Sequence, residues 1–187
     1  MKLHEKIMGK NRENIPNWAF RLMTFIMKMM DIIANYSNRN FERLGIKKGQ
    51  TVVDYGCGPA RYIENISKAI GRDGMLYAAD IHPLAINKVR EKIVKFNLCN
   101  VDTVFLKGYP CSIPANIANV VLALDMFHMV EDTKSLLKEF NRIVKPDGMV
   151  IIEDGHQARD ETKKKILDSG YFIIEAENNN HVRCKKQ

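Results

Sequence analysis

An unbroken β-branched run that empties into a glycine turn constrains this chain more than any other feature. Thr51-Val52-Val53-Asp54 leads directly into Tyr55-Gly56-Cys57-Gly58-Pro59-Ala60. A short apolar run without polar alternation marks a strand covered on both faces, as in a parallel sheet. Parallel strands need crossover helices, and the downstream sequence supplies them. Residues 59–70 read as a helix, with Ile63, Ile66 and Ile70 on one face and Gly71 as its stop. A second strand over 75–80, a helix opened by Pro83 and running to about residue 97, and a third strand over 103–106 follow. Residues 120–124 form a fourth strand and 133–144 a helix, after which Lys145-Pro146-Asp147-Gly148 turns into a fifth strand over 149–153. A helix over 159–169 precedes two last strands, 171–176 and 181–185. The asparagines between them favour a closing antiparallel hairpin. The expected fold is therefore α/β, a doubly wound sheet that binds ligands at the carboxyl ends of its strands.

The first 45 residues have a different character. Pro16 suits a first helical turn with Asn14 as its cap. Trp18, Leu22, Phe25, Met29, Ile32 and Tyr36 then recur at spacings of four and three, and Ile26, Met30 and Ile33 widen that face. Arg21, Lys28 and Asp31 interrupt the run, which argues against a membrane span of ~20 predominantly apolar residues. The segment is expected to pack on the body, with a lid over an apolar site or a membrane-surface helix as alternatives. Residues 1–48 hold ten Lys/Arg against four Asp/Glu, whereas the rest is nearly neutral. Such an arm suits solubility or a peripheral contact with an anionic surface. Two units are expected: a helical lid over 1–45 and a ligand-binding domain over 46–187.

Cys57, Cys99, Cys111 and Cys184 lie far apart, with no CxxC pair and no signal peptide. Reduced thiols in a cytoplasmic protein are expected, and no metal. Oligomeric state is not written in the sequence.

The glycine loop narrows the ligand. A dinucleotide fingerprint would place its third glycine at position 61, where Arg61 stands, and a P-loop would need Gly-Lys-Ser/Thr. Asp54 closes the first strand. Asp80 closes the second, where a carboxylate can accept both hydroxyls of a ribose.

Three segments together resemble class I S-adenosylmethionine (SAM)-dependent methyltransferases. They are 52–60 around Gly56 and Gly58, Tyr77-Ala78-Ala79-Asp80-Ile81-His82-Pro83, and 136–148 with Glu139, Arg142 and Lys145-Pro146-Asp147-Gly148. The likeness is strongest to the small-molecule branch of menaquinone and ubiquinone biosynthesis. It implies a Rossmann-like seven-stranded sheet, mostly parallel with a reversed C-terminal hairpin, and SAM as cofactor. By position it implies that Asp54, Gly56 and Gly58 meet the methionine part, that Asp80 holds the ribose and that Ile81 packs on the adenine. Gly108 and Tyr109 fall in the adenine-side segment, and Leu124 and Asp125 near the sulfonium. Ala60 stands in place of a usual third glycine, Asp147 in place of a turn glycine, and Lys107-Gly108-Tyr109 where relatives often carry Gly-Asp-Ala.

Methyl transfer from a sulfonium is an in-line displacement that needs alignment and dryness more than a catalytic group. The acceptor is accordingly less legible than the cofactor. Asp125, His128 and His156 are the candidate catalytic residues, with Glu153 and Asp154 beside them. No Asn/Asp-Pro-Pro-Tyr motif follows the fourth strand, and Pro110-Cys111 precedes it, so amino groups of nucleic-acid bases and cytosine carbon are demoted. A small organic or lipid-like acceptor is expected, and nucleic acid is not. A SAM-binding module without turnover remains open, as does, further off, a nicotinamide-dependent oxidoreductase.

Overall fold

The computed structural model describes residues 15–187. Asn14, the expected cap, lies outside them. Two helices, α1 (Asn17–Ala34) and α2 (Tyr36–Glu42), precede β1 (Thr51–Tyr55), α3 (Ile63–Ile70), β2 (Met75–Asp80), α4 (Pro83–Phe96) and β3 (Val101–Phe105). Then come β4 (Ala118–Ala123), a 3-10 turn (Phe127–Met129), α5 (Thr133–Ile143), β5 (Val144–Glu153), α6 (Arg159–Asp168), β6 (Phe172–Glu177) and β7 (His181–Lys186).

The seven strands lie in the order β3-β2-β1-β4-β5-β7-β6. The first five are parallel and β7 runs antiparallel to both β5 and β6. Successive strand residues face opposite cores, because the pleat alternates. Val52 and Ala78 join α3 and α4 on one side, and Val53 and Ala79 join α5 and α6 on the other. The strand order reverses between β1 and β4, so their carboxyl ends diverge and open a crevice there.

Two expectations for the N-terminal segment need correction. Residues 18–36 do not form one helix: Asn35 takes a left-handed φ of 48°, its N–H returns to the Asp31 carbonyl, and α2 starts afresh. Asparagine tolerates that conformation better than most residues. Nor does the bulky stripe pack on the body, for Phe25 is 62% and Ile32 67% exposed. The helix instead turns its other side inward, burying Ala19 and Phe20 and half-burying Met23 and Met27. Phe20 stacks on the His82 ring at 4.4 Å, and Arg61 grips Asp31 at 2.5 and 3.1 Å. These contacts tie the inward side of the helix to the body.

The turn expected at 145–148 is absorbed into β5 as a bulge. Ala118 pairs with Val144 and Val120 with Met149, so two steps along β4 match five along β5.

Candidate active site

The glycine loop is built by steric necessity. Gly56 sits at φ 81°, and a Cβ there would fall 2.8 Å from Met126 Cγ. Gly58, at φ 51°, faces open space, which leaves its backbone available to a ligand. Backbone N–H groups of Gly56 and Cys57 donate to the Ala79 carbonyl at 2.8 and 3.0 Å, sewing the loop to β2. Asp80 completes the seam: Oδ2 accepts from Gly58 N–H at 2.8 Å and Oδ1 from His82 N–H at 2.7 Å. Ala60, in the usual glycine position, is buried at φ 64°, a conformation that costs a side-chain-bearing residue about 1–2 kcal/mol.

A cavity of about 470 Å³ opens on this loop. Asp54, Gly56, Gly58, Asp80, Ile81, Gly108, Tyr109, Leu124 and Asp125 all border it, from the ends of β1, β2, β3 and β4. The opposite wall is α1, through Phe20, Met23 and Met27. These three residues carried a readable signal, a second apolar stripe about half a turn from the bulky one. With fewer members than the outward stripe, it is overshadowed by it.

Three buried carboxyls set the electrostatics. Asp54 is 2% exposed, and its Oδ2 has no hydrogen-bond partner. Burial, with the like charges of Asp80 and Glu153, pushes its carboxyl up to about 7. Burial also raises Asp80, against the opposing hydrogen bonds from His82 and Gly58. Burial raises Glu153 too, although Asn40 Nδ2 donates to its Oε1 at 2.6 Å. A cavity walled by three such acids favours a cationic ligand over an anionic one. SAM, which carries both an ammonium and a sulfonium, fits that demand. A dinucleotide's pyrophosphate does not.

Residues 53–152 match the profile of a family described as "Methyltransferase domain". That is more than half of the chain. The chain belongs to this methyltransferase family. Among relatives, it is 27% identical over 110 residues to a demethylmenaquinone methyltransferase of Geobacillus sp. (strain WCH70), covering 59% of this chain and 47% of that protein. It is 25% identical over 131 residues to a ubiquinone/menaquinone biosynthesis C-methyltransferase of Escherichia coli O1:K1, covering 70% and 52%. The chain thus spans about half the length of the curated relatives it matches. A solved SAM-dependent methyltransferase from Aquifex aeolicus superposes with a TM-score of 0.73 at 21% identity, covering 86% of this chain and 97% of that one, which shows the shared fold. SAM is the cofactor of this methyltransferase domain.

A second cavity adjoins the first, sharing Ile15, Met23, Met27, Arg61, Asp125 and Glu153 with it. Trp18, Leu22, Ile26 and Met30 of α1 form its apolar side, and Asp154, His156 and Asn180 its polar side. Of the expected catalytic residues, Asp125 borders both cavities and His156 the second. His128, on the 3-10 turn, stands beside them with its ring edge-to-face against His156, centroids 5.1 Å apart. Asp154 is committed to Arg159 Nε, at 3.0 and 2.8 Å.

Glu139 and Arg142, prominent in the resemblance, lie elsewhere. Glu139 accepts Cys111 N–H at 2.9 Å and both Nε and Nη2 of Arg142 at 2.9 and 2.6 Å, while Arg142 donates to the Ile113 carbonyl at 2.8 Å. Burial opposes the charge on Glu139, but these donors outweigh it and hold the carboxyl below its usual range. The pair staples the loop before β4 to α5. Sequence reading also missed Asn40, a buried α2 side chain whose Nδ2 donates to both Glu153 and Tyr62 Oη. A lone polar residue in a helical segment gives no signal of that kind.

Proposed function

We propose that this chain moves the methyl group of SAM to a small organic or lipid-like acceptor, of the quinone-ring kind on which its relatives' names say they act. The observation that carries the proposal is the continuity of the two cavities: an acid-walled chamber suited to SAM opens into one with an apolar wall. SAM supplies an electrophilic methyl already activated by the sulfonium. The protein has to orient and to exclude water. In this reading Asp54, Gly56 and Gly58 hold the methionine part, and Asp80 accepts the ribose hydroxyls while anchoring the loop. Ile81, Gly108 and Tyr109 flank the adenine, and Leu124 and Asp125 border the methyl. Residues 1–45 act as a lid over residues 46–187. Asp125, His128 and His156, at the rim of the acceptor chamber, are the groups that orient the acceptor.

The test is incubation with SAM and a panel of demethylated quinones, phenols and short-chain amines, read by S-adenosylhomocysteine release. Turnover on ring acceptors is expected. SAM binding without turnover on any acceptor would instead make the chain a binding module. NAD binding without SAM binding would overturn the assignment.

Among the described residues, no helix is long and apolar enough to cross a membrane. We take the protein to act in the cytoplasm, its four cysteines being free. We further propose that α1 rests on an anionic bilayer surface. Phe25, Met29 and Ile32 point outward, and Arg21 and Lys28 flank them, the pattern of an interfacial helix. A lipid-like acceptor would then enter beside the helix that walls its chamber. Cosedimentation with anionic vesicles, but not zwitterionic ones, is expected, and the Phe25→Ser/Ile32→Ser pair should abolish it. Recovery with neither vesicle type would remove the membrane contact, and equal recovery with both would remove its anionic preference.

A further inference from the structure

Asp125, His128 and His156 come from two separate loops, after β4 and after β5, yet each offers a ligand atom within 4.8 Å of the others. We propose that they form a binding site for a divalent first-row transition cation at the rim of the acceptor chamber. Two imidazoles and one carboxylate make a donor set suited to zinc, iron, cobalt or nickel rather than magnesium or calcium. Bonds of about 2.0–2.2 Å place donor atoms roughly 3–3.5 Å apart, so the set has to close by only about 1–2 Å. Asp125 and His156 are exposed and free to rotate that far.

The third ligand is held in place. Gly155 lies so close to His128 that a Cβ there would fall 2.0 Å from Nδ1, so any side chain at 155 would displace the ring. The two imidazoles meet edge to face, not stacked, with centroids 5.1 Å apart. Asp125 occupies a left-handed φ of 52°, rare for a residue with a side chain and found at sites where geometry is imposed. Three protein ligands leave coordination positions open. Asp125 and His156 line the chamber, which places the site within reach of what the chamber holds. On the methyltransferase reading above, an oxygen of the acceptor would occupy an open position. The cation site itself does not depend on that reading.

Sequence spacing predicts no metal, since only the fold joins the two loops. The test is titration of the full chain, freed of metal by chelator and desalted, with Co²⁺ followed by visible absorption and Zn²⁺ followed by calorimetry. One ion per chain is expected. His156→Ala and His128→Ala should each weaken binding by at least ~10-fold. Gly155→Ala, which removes no ligand, should weaken it as well. Asp125→Asn serves if His128→Ala fails to fold, as judged by melting. No stoichiometric uptake, or uptake undiminished in the histidine variants, would overturn the site. SAM titrated into the same samples separates the two readings: SAM binding without a cation removes only the metal. A cation without SAM binding removes the methyltransferase assignment and leaves the site.

Discussion

The two walls of the composite cavity are made differently. The proposed cofactor wall consists of strand ends and a glycine loop tied into the sheet: both Asp80 oxygens accept backbone N–H groups, and the loop is bonded to Ala79. The acceptor wall consists of α1, which rests on a few side-chain contacts, and of loops after β4 and β5 that carry exposed Asp125 and His156. The first wall is part of the sheet's own hydrogen-bonded framework. The second is laid over it and is free to differ without disturbing the fold. A family that shares one cofactor and many acceptors needs that division, because recognition of the acceptor then varies independently of the sheet.

Substitutions on the two walls should therefore separate. Asp80→Ala is expected to have the largest effect, weakening SAM by ~1–3 kcal/mol through lost charged hydrogen bonds, with the melting temperature only modestly lowered. Unchanged affinity by calorimetry would remove Asp80 from the cofactor wall. Next comes the charge of Asp54. Its raised folded value means that the native state holds a proton the unfolded chain has released, so its contribution to stability is full below about pH 4 and is lost as pH rises through about 7. His181 opposes it. Burial, aided by nearby arginines, depresses its folded value to about 4, so its contribution is present above about 6.5 and is lost as pH falls through about 4. Asp54→Asn should therefore gain stability more steeply between pH 4 and 6.5 than the wild type does, read from denaturation midpoints. Parallel curves would show that Asp54 titrates normally. SAM binding near pH 6.5 should also release a proton in the wild type and not in the variant, measured by calorimetry in buffers of different ionisation enthalpy.

Smaller effects are expected on the other wall. Leu22→Ser with Ile26→Ser should leave stability within about 0.5 kcal/mol per site, both residues being half-exposed, while acceptor turnover falls and SAM affinity holds. A matching loss of SAM affinity would mean that the two walls are not separate. Asp31→Ala, which frees Arg61 from a part-buried pair, should shift stability by about 1 kcal/mol or less and speed SAM exchange, as measured by stopped-flow. An unaltered exchange rate would show that α1 does not gate the cavity.

Legibility in the sequence divides along the same line. The strand–helix alternation, the reversed hairpin, the glycine loop and the acids at 54 and 80 were readable because each depends on local rules: burial on two faces, turn stereochemistry and a carboxylate at a strand end. The rotation of α1 was not. Two apolar stripes share that helix, and the smaller faces inward because His82 and Arg61, from the α4 cap and the glycine loop, meet Phe20 and Asp31. Periodicity finds a stripe but says nothing of what stands opposite. The Glu139–Arg142 pair was visible as a motif, and its use as a staple for the loop before β4 became clear only from the Cys111 and Ile113 contacts.

The sequence by itself determined the α/β architecture and the kind of cofactor, since both follow from patterns within a few dozen consecutive residues. Tertiary structure alone decided that Asp54 sits among two other buried acids with an oxygen unanswered. It also decided that Asn40 reaches Glu153 across 113 residues and that Asp125, His128 and His156 converge. Those arrangements join segments distant in the chain, and the energies that set them, desolvation and charge at short range, exist only once the segments meet.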